Sequence, residues 1–134
     1  MLPPEYRDNI LAVSDSGSFV LTGYDDCIVA FTMPEWEAFE DKMDSPTNPS
    51  RALRNFRRMV RGLAEELTFD PQGRVRISQS LMRYAGLSKD VVLVGQGARF
   101  EIWDTQRFEA LQLDDEDLDQ VMKELAQSGI EFSL

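Results

Sequence analysis

Two stretches of the chain carry the same order of apolar and polar positions, displaced from one another by 72 residues. At this displacement 19–23 aligns with 91–95, 28–31 aligns with 100–103, and 36–39 aligns with 108–111. The identical pairs on this gapless register are Val20/Val92, Leu21/Leu93, Gly23/Gly95, Glu37/Glu109 and Ala38/Ala110. Because a run of identities on one register is typical of an internal duplication, we predict two tandem copies of one small unit.

Each copy predicts a β-hairpin followed by a helix. In the first copy an apolar run at 19–22 indicates a strand, 23–26 a tight connection, and 27–31 a second strand. The corresponding segments of the second copy are 91–94, 95–98 and 99–103. Thr32 and Asp104 then stand where a helix should begin, and both are residue types that commonly cap helix N-termini.

A β-turn is predicted immediately ahead of the second copy. The sequence Asp-Pro-Gln-Gly at 70–73 places Asp, Pro and Gly at the turn positions that favour them. Alternating residues flank the turn at 67–69 and 74–77, and this period of two places Arg74 and Arg76 on one face. The sequence therefore predicts a turn with an arginine immediately after it.

The first copy should have the same turn, but the chain begins too late to include it. A register that aligns Leu2 with Ile77 places the equivalent turn before Met1. We therefore expect the first-half turn to be missing, either because the chain has been trimmed or because its start lies late.

Between the copies the pattern predicts a linker at 44–49 and a helix capped by Ser50. Apolar residues recur at helical spacing on one side of this helix: Leu53, Phe56, Met59, Val60 and Leu63. Arginines occupy the opposite side: Arg51, Arg54, Arg57, Arg58 and Arg61. Such a face can lie along a nucleic-acid backbone, or it can be a solvated face or one paired with acids of a neighbouring subunit.

Charge is distributed unevenly along the 134 residues, whose net charge is -10. The segment 113–134 carries seven acids against Lys123 alone, and it contains a predicted acidic helix at 114–124. A narrow apolar stripe of Leu118, Val121, Met122 and Leu125 accompanies those acids. This helix can dock on its own barrel, on a second subunit or on nothing. Because contact with nucleic acid depends on local charge, the global value does not exclude a polyanionic partner.

Composition removes several classes of site and protein. With one cysteine and no histidine, the chain cannot build a Cys/His zinc site, a Ser-His-Asp triad or a Cys-His dyad. Cys27 is expected to be a small buried residue, and Trp36, Trp103 and Phe108 are expected in the core. The carboxylates show no spacing that favours an acid/base pair or a magnesium site, so we expect no enzyme, no metal and no cofactor. Without a membrane-length apolar run or a signal peptide, a cytoplasmic location is expected.

Short sequence blocks spread along the chain follow an order found in one family. The second half reads FDPQGRVRI at 69–77, YAGLSKDVVLVG at 84–95 and RFEIW at 99–103. The first half reads LPPEYRD at 2–8, LTG at 21–23 and PEW at 34–36, and the middle helix contains NFRR at 55–58. In series, over roughly residues 1 to 111, these blocks resemble the MraZ family of bacterial DNA-binding regulators.

The resemblance implies an α+β, mainly β fold, in which the two tandem repeats form an AbrB-like double-split β-barrel with short helices and an acidic C-terminal helix. The expected segments are a first half at 1–43, a linker and arginine-faced helix at 44–63, a second half at 64–112 and an acidic tail at 113–134. Ser78 stands where the family has a proline after Ile77, which would alter only a helix start.

The resemblance also implies a function and its residues. The implied protein is a sequence-specific transcriptional regulator of the division and cell-wall gene cluster, and it is associated with the nucleoid. It is expected to assemble as a homo-oligomeric ring on repeated operator elements in double-stranded DNA. Its Asp-x-x-Gly-Arg loop supplies the DNA contacts, which carries over here to Asp70, Gly73 and Arg74. No membrane and no small-molecule substrate are expected.

Two alternatives remain open from the residues. Asp70 can serve only to cap the turn, with Arg74 paired to a carboxylate. Because half of the expected loops are missing, the chain can also be an oligomerising scaffold with weak or no DNA binding.

Overall fold

The computed structural model describes residues 1–97 and 99–130. In chain order its elements are α1 (Pro4–Leu11), β1 (Ser18–Tyr24), β2 (Cys27–Thr32), α2 (Met33–Asp44), α3 (Arg51–Leu63), β3 (Glu65–Thr68), α4 (Gln79–Ala85), β4 (Val91–Gln96), β5 (Arg99–Asp104), α5 (Thr105–Glu109) and α6 (Asp115–Gln127). Helices make up 45% and strands 22% of the residues described, so the α+β prediction is confirmed. The strands form a five-stranded antiparallel sheet, which is consistent with the AbrB-like barrel.

The sheet is arranged about a pseudo-twofold axis at its centre. Its strand order is β3-β1-β2-β5-β4, so the two hairpins meet through β2 and β5. Val29 lies opposite Glu101 in that pairing, and these two positions are also equivalent in the 72-residue repeat. The predicted duplication is therefore visible in the strand pairing as well as in the sequence.

Both faces of the sheet are covered, which explains why β1 and β2 are continuous apolar runs. On one face α1 and α4 contribute Ile10, Leu81 and Ala85 to a core that includes Phe19 and Leu21. The other face packs against α2, α3 and α5 through a second core: Val20, Cys27, Val29, Phe31, Trp36, Met43, Val60 and Trp103, with Phe108 half-buried beside them. The expectations that Cys27 is buried and that the tryptophans lie in the core are confirmed.

The first hairpin closes with a shorter turn than predicted. β1 continues through Gly23 and Tyr24, which leaves Asp25 and Asp26 as the two turn residues. Both have positive φ, 56° and 67°, as a two-residue turn of the kind that matches strand twist requires. The predicted connection at 95–98 includes Ala98, which lies outside the described residues.

Helices begin at the predicted cap residues, although the Thr32 side chain accepts no capping hydrogen bond at the start of α2. The Ser50 hydroxyl accepts a hydrogen bond from the Leu53 N–H at 3.1 Å, and an Asp104 carboxylate oxygen accepts one from the Arg107 N–H at 3.2 Å. Ser78 caps α4 in the same way, so the serine that replaces the family's proline still begins a helix. Such caps typically contribute about 1 kcal/mol each.

Candidate nucleic-acid interface

The Asp70 side chain organises the predicted turn from within. Its Oδ1 accepts hydrogen bonds from the N–H groups of Gln72 at 2.9 Å and Arg74 at 2.8 Å. The backbone closes the same loop, because Gly73 N–H donates to the Asp70 carbonyl at 2.8 Å and Asp70 N–H donates to the Arg74 carbonyl at 2.9 Å. With four hydrogen bonds spanning five residues, the turn holds a defined shape without help from a ligand.

Gly73 is buried beneath the first copy. Its φ of +81° lies in the left-handed region, which only glycine adopts freely. A Cβ at this position would stand 2.8 Å from Nε and 2.9 Å from Cδ of Arg7, on α1. The Gly73 carbonyl accepts a hydrogen bond from Leu2 N–H at 2.6 Å. The start of the first copy therefore packs directly on the turn that precedes the second.

Arg74 presents its side chain to solvent. The residue is exposed, and within residues 1–97 and 99–130 its guanidinium has no salt bridge. Asp70 contacts the Arg74 backbone rather than its side chain. One alternative left open by the sequence was that Asp70 caps the turn while Arg74 pairs with a carboxylate. The capping role of Asp70 is observed, whereas no described carboxylate pairs with Arg74.

The segment after the turn does not join the sheet. Residues 74–77 lie outside any strand, although Val75 and Ile77 pack on the first core and Arg76 is exposed like Arg74. The alternation therefore predicted correctly which side chains are buried. It did not predict the backbone hydrogen bonding, because burial of alternate residues does not by itself require a partner strand.

The prediction that all five arginines of α3 lie on its solvent face is wrong for Arg57. Arg61 is exposed as predicted, but its charge is paired with acids of α2 in the same chain. Arg57 is half-buried and donates through Nε to the Met43 carbonyl at 2.8 Å. Arg61 forms ion pairs with Asp44 at 2.7 Å and Glu40 at 3.1 Å. Those contacts raise the pKa of Arg61 and lower that of Asp44, chiefly through the hydrogen bond between them. The two arginines join α3 to the end of α2, where cations are favoured by the helix dipole.

The acidic tail helix forms where predicted but buries nothing. Asp114 and Asp117 cap the start of α6 reciprocally, and no residue of the helix is buried. Leu118, Val121 and Met122 remain 37–41% exposed. Within the described chain, α6 therefore does not bury its apolar stripe against its own barrel.

No reactive or metal-binding centre emerges from the described residues. They contain no group of three or more His, Cys, Asp or Glu side chains placed to hold a metal. Burial raises the pKa of the Cys27 thiol to about 12, with Glu101, Asp25 and Asp26 adding to the effect, so this cysteine is a poor nucleophile. In the same described ranges, no helix combines the length and the apolar character needed to cross a membrane.

Sequence reasoning missed one side chain at the turn, Arg7. It comes from the other copy and lies 66 positions before Gly73 in the sequence, so no local motif connects the two. The available signal was the alignment of Leu2 with Ile77, which places the start of α1 in the same structural position as the start of α4.

The comparisons with known proteins agree with the resemblance. Residues 59–128 match the family model described as "MraZ protein, putative antitoxin-like". Two relatives from Nitratidesulfovibrio vulgaris, each named transcriptional regulator MraZ, are 58% and 54% identical to the chain. The first alignment covers 98% of this chain and 87% of the relative, and the second covers 100% and 89%. A relative of the same name from Nitrosomonas europaea is 38% identical over 84% of this chain and 76% of its own length. This chain therefore belongs to the MraZ family.

Proposed function

We propose that this protein is a sequence-specific DNA-binding transcriptional regulator whose contacts come from the turn formed by Asp70, Gly73 and Arg74. The observation that supports this most directly is the exposed Arg74 guanidinium, which has no carboxylate partner among the described residues and follows a turn fixed by four hydrogen bonds. The names of the relatives support the regulatory role. We place the protein in the cytoplasm, associated with the nucleoid.

The turn suits DNA recognition because it restrains the backbone that carries the arginine. A guanidinium can donate two parallel hydrogen bonds to guanine O6 and N7, or it can clamp a phosphate. Since Asp70 holds Arg74 N–H in place, less conformational entropy is lost when the side chain binds. Asp70 and Gly73 therefore shape the loop, and Arg74 makes the contact.

One such turn supplies few contacts, so several copies must act together. In the proposal the chain assembles as a homo-oligomeric ring, and its turns engage repeated elements in the operator of the division and cell-wall gene cluster. Once one turn is bound, the others meet their elements at a high effective concentration, which raises the overall affinity without new contacts. The strongly acidic segment 113–134 is separate in sequence from the turn.

A gel-shift titration with the promoter of that gene cluster tests the assignment. Arg74→Ala should weaken binding about 5- to 150-fold, since one bidentate arginine contact is worth roughly 1–3 kcal/mol. Arg83→Ala is the matched control, because Arg83 is also exposed and its side chain makes, among the described residues, a single long hydrogen bond of 3.4 Å to Gln79. Equal affinities for the two variants would contradict the role given to Arg74.

The competing function is an oligomerising scaffold that does not bind DNA. The observation that favours it is α6, whose exposed apolar stripe lies among acids that would repel phosphates. This alternative predicts the same assembly by light scattering, but no retardation of the promoter duplex even at low salt. Retardation that a scrambled duplex of equal length fails to compete would exclude it.

A further inference from the structure

The Asp70–Arg74 turn carries a second arginine that comes from the other copy. Arg7 lies on α1, and its Nε, Cδ and Cζ stand 2.8, 2.9 and 3.0 Å from the position a Cβ on Gly73 would take. A side chain that lies so closely along a glycine is in contact with the turn backbone over its outer half. Arg7, which belongs to the first copy, therefore adds a positive charge to the turn at 70–74 that precedes the second copy.

The hydrogen bonding of Arg7 is incomplete. Its Nε is buried and has no hydrogen-bond partner, which is unusual for a buried polar atom. Across 1–97 and 99–130 its guanidinium forms no salt bridge and no side-chain hydrogen bond. The nearest acid of the turn, Asp70, already accepts two backbone N–H groups through Oδ1. The charge of Arg7 is therefore held at the turn without a described anionic partner.

Two guanidinium groups thus share one short loop. Because Arg74 directly follows Gly73, the Cζ of Arg7 lies within about 8 Å of the Arg74 Cα, given 3.8 Å between consecutive Cα atoms. The two side chains therefore bring two positive charges to one turn, where an anion beside them is favoured. A nucleic-acid backbone offers such anions in series, with one phosphate for about every 3.4 Å of rise along a strand.

We propose that Arg7 is a second DNA-contacting residue of this turn, and that its terminal nitrogens bind a backbone phosphate while Arg74 contacts DNA beside it. The inference rests on the proposed function and extends it. Each DNA-binding turn is then composite, since α1 of one repeat supplies a phosphate contact to the loop that precedes the other. Phosphate contacts fix the register of a protein on the duplex, whereas base contacts carry the sequence information.

The experiment measures affinity for the promoter duplex by fluorescence anisotropy across a series of salt concentrations. Arg7→Met keeps an apolar stem over Gly73 and removes the charge, whereas Arg7→Lys keeps the charge. We expect Arg7→Met to reduce the slope of log K against log salt by about 0.9 for each turn that touches DNA. Arg7→Lys should retain the original slope. A residue that only supported the fold would not alter the salt dependence in this charge-specific way.

Arg74→Ala, measured in parallel, separates the two proposals. A loss of affinity in Arg74→Ala with an unchanged slope in Arg7→Met overturns the role of Arg7 and leaves the proposed function standing. No effect of either substitution, or no binding by the unsubstituted protein, overturns both. Arg83→Ala again controls for the loss of an exposed arginine elsewhere on the surface.

Free phosphate offers Arg7 the same chemistry as a DNA phosphate, and a second experiment distinguishes the two ligands. Inorganic phosphate is added at constant ionic strength, and the thermal midpoints of the unsubstituted protein and Arg7→Met are compared. We expect phosphate to leave both midpoints unchanged. Stabilisation of the unsubstituted protein alone would assign Arg7 to a small-anion site and overturn its role in binding DNA.

Discussion

Substitution of Gly73 by alanine should destabilise the protein through two separable effects. The first is backbone strain, because an L-residue at φ +81° costs roughly 1–2 kcal/mol. The second is crowding, because the new Cβ would stand 2.8 Å from Arg7 Nε, and moving the outer end of this side chain off its preferred rotamer costs about 0.5–1.5 kcal/mol. Together they predict a loss of about 1.5–3.5 kcal/mol, equivalent to a fall in Tm of roughly 5–12 °C.

A double-mutant cycle separates the two effects. In an Arg7→Ala background the Cβ has room, so Gly73→Ala should then cost only the backbone part, about 1–2 kcal/mol. The difference between the two backgrounds measures the contact between α1 and the turn. Free energies are taken from urea titrations at one protein concentration, because stability of an assembling protein depends on concentration.

Two results would refute this reasoning. If Gly73→Ala costs the same in both backgrounds, Arg7 does not pack on the turn in solution, and the composite turn has no basis. If it costs less than about 0.5 kcal/mol, as ordinary surface changes do, the left-handed backbone at Gly73 is not required. Arg83→Ala supplies the baseline for loss of an exposed arginine.

Two further predictions follow from buried and capping groups. Since burial raises the pKa of Cys27 to about 12, a thiol reagent at about pH 8 should label the native protein about 10³-fold more slowly than the urea-denatured chain, and comparable rates would contradict the buried position. Hydrogen bonds from Ser88 lower the pKa of Asp104, so its stabilising contribution is fully present above the unfolded pKa of about 3.9 and lost as pH falls through the folded value. The Tm difference between the unsubstituted protein and Asp104→Asn should therefore narrow below about pH 4, and a gap that stayed constant from neutral to acidic pH would count against it.

The local elements could be predicted from the sequence because short-range physics determines them. The hairpins follow from apolar runs broken at turn residues, and Ser50 and Asp104 cap helices because their side-chain oxygens reach N–H groups three positions on. The Asp70 turn formed for the same reason: a short carboxylate can accept from its own backbone two to four residues away.

What the sequence could not show are contacts between distant segments. β3 precedes the second copy in the chain but pairs with β1 of the first, and nothing in the alternation at 65–68 indicates which strand it joins. Arg57 lies on the polar side of a helical projection, yet it is half-buried because the end of α2 lies beside it. The position of Arg7 could not be predicted for the same reason, since only the fold brings Gly73 next to it.

The pairing of Val29 with Glu101 has a consequence for how the two halves of the molecule can change. In an assembly of two identical hairpins, any substitution near the axis would occur twice, and a carboxylate there would face its own copy. Here a single polypeptide holds both hairpins, so Glu101 faces an aliphatic side chain and accepts a hydrogen bond from Trp103 Nε1 at 3.0 Å instead. Dilution cannot separate partners joined by a peptide chain, and each half is free to acquire residues that the other could not tolerate.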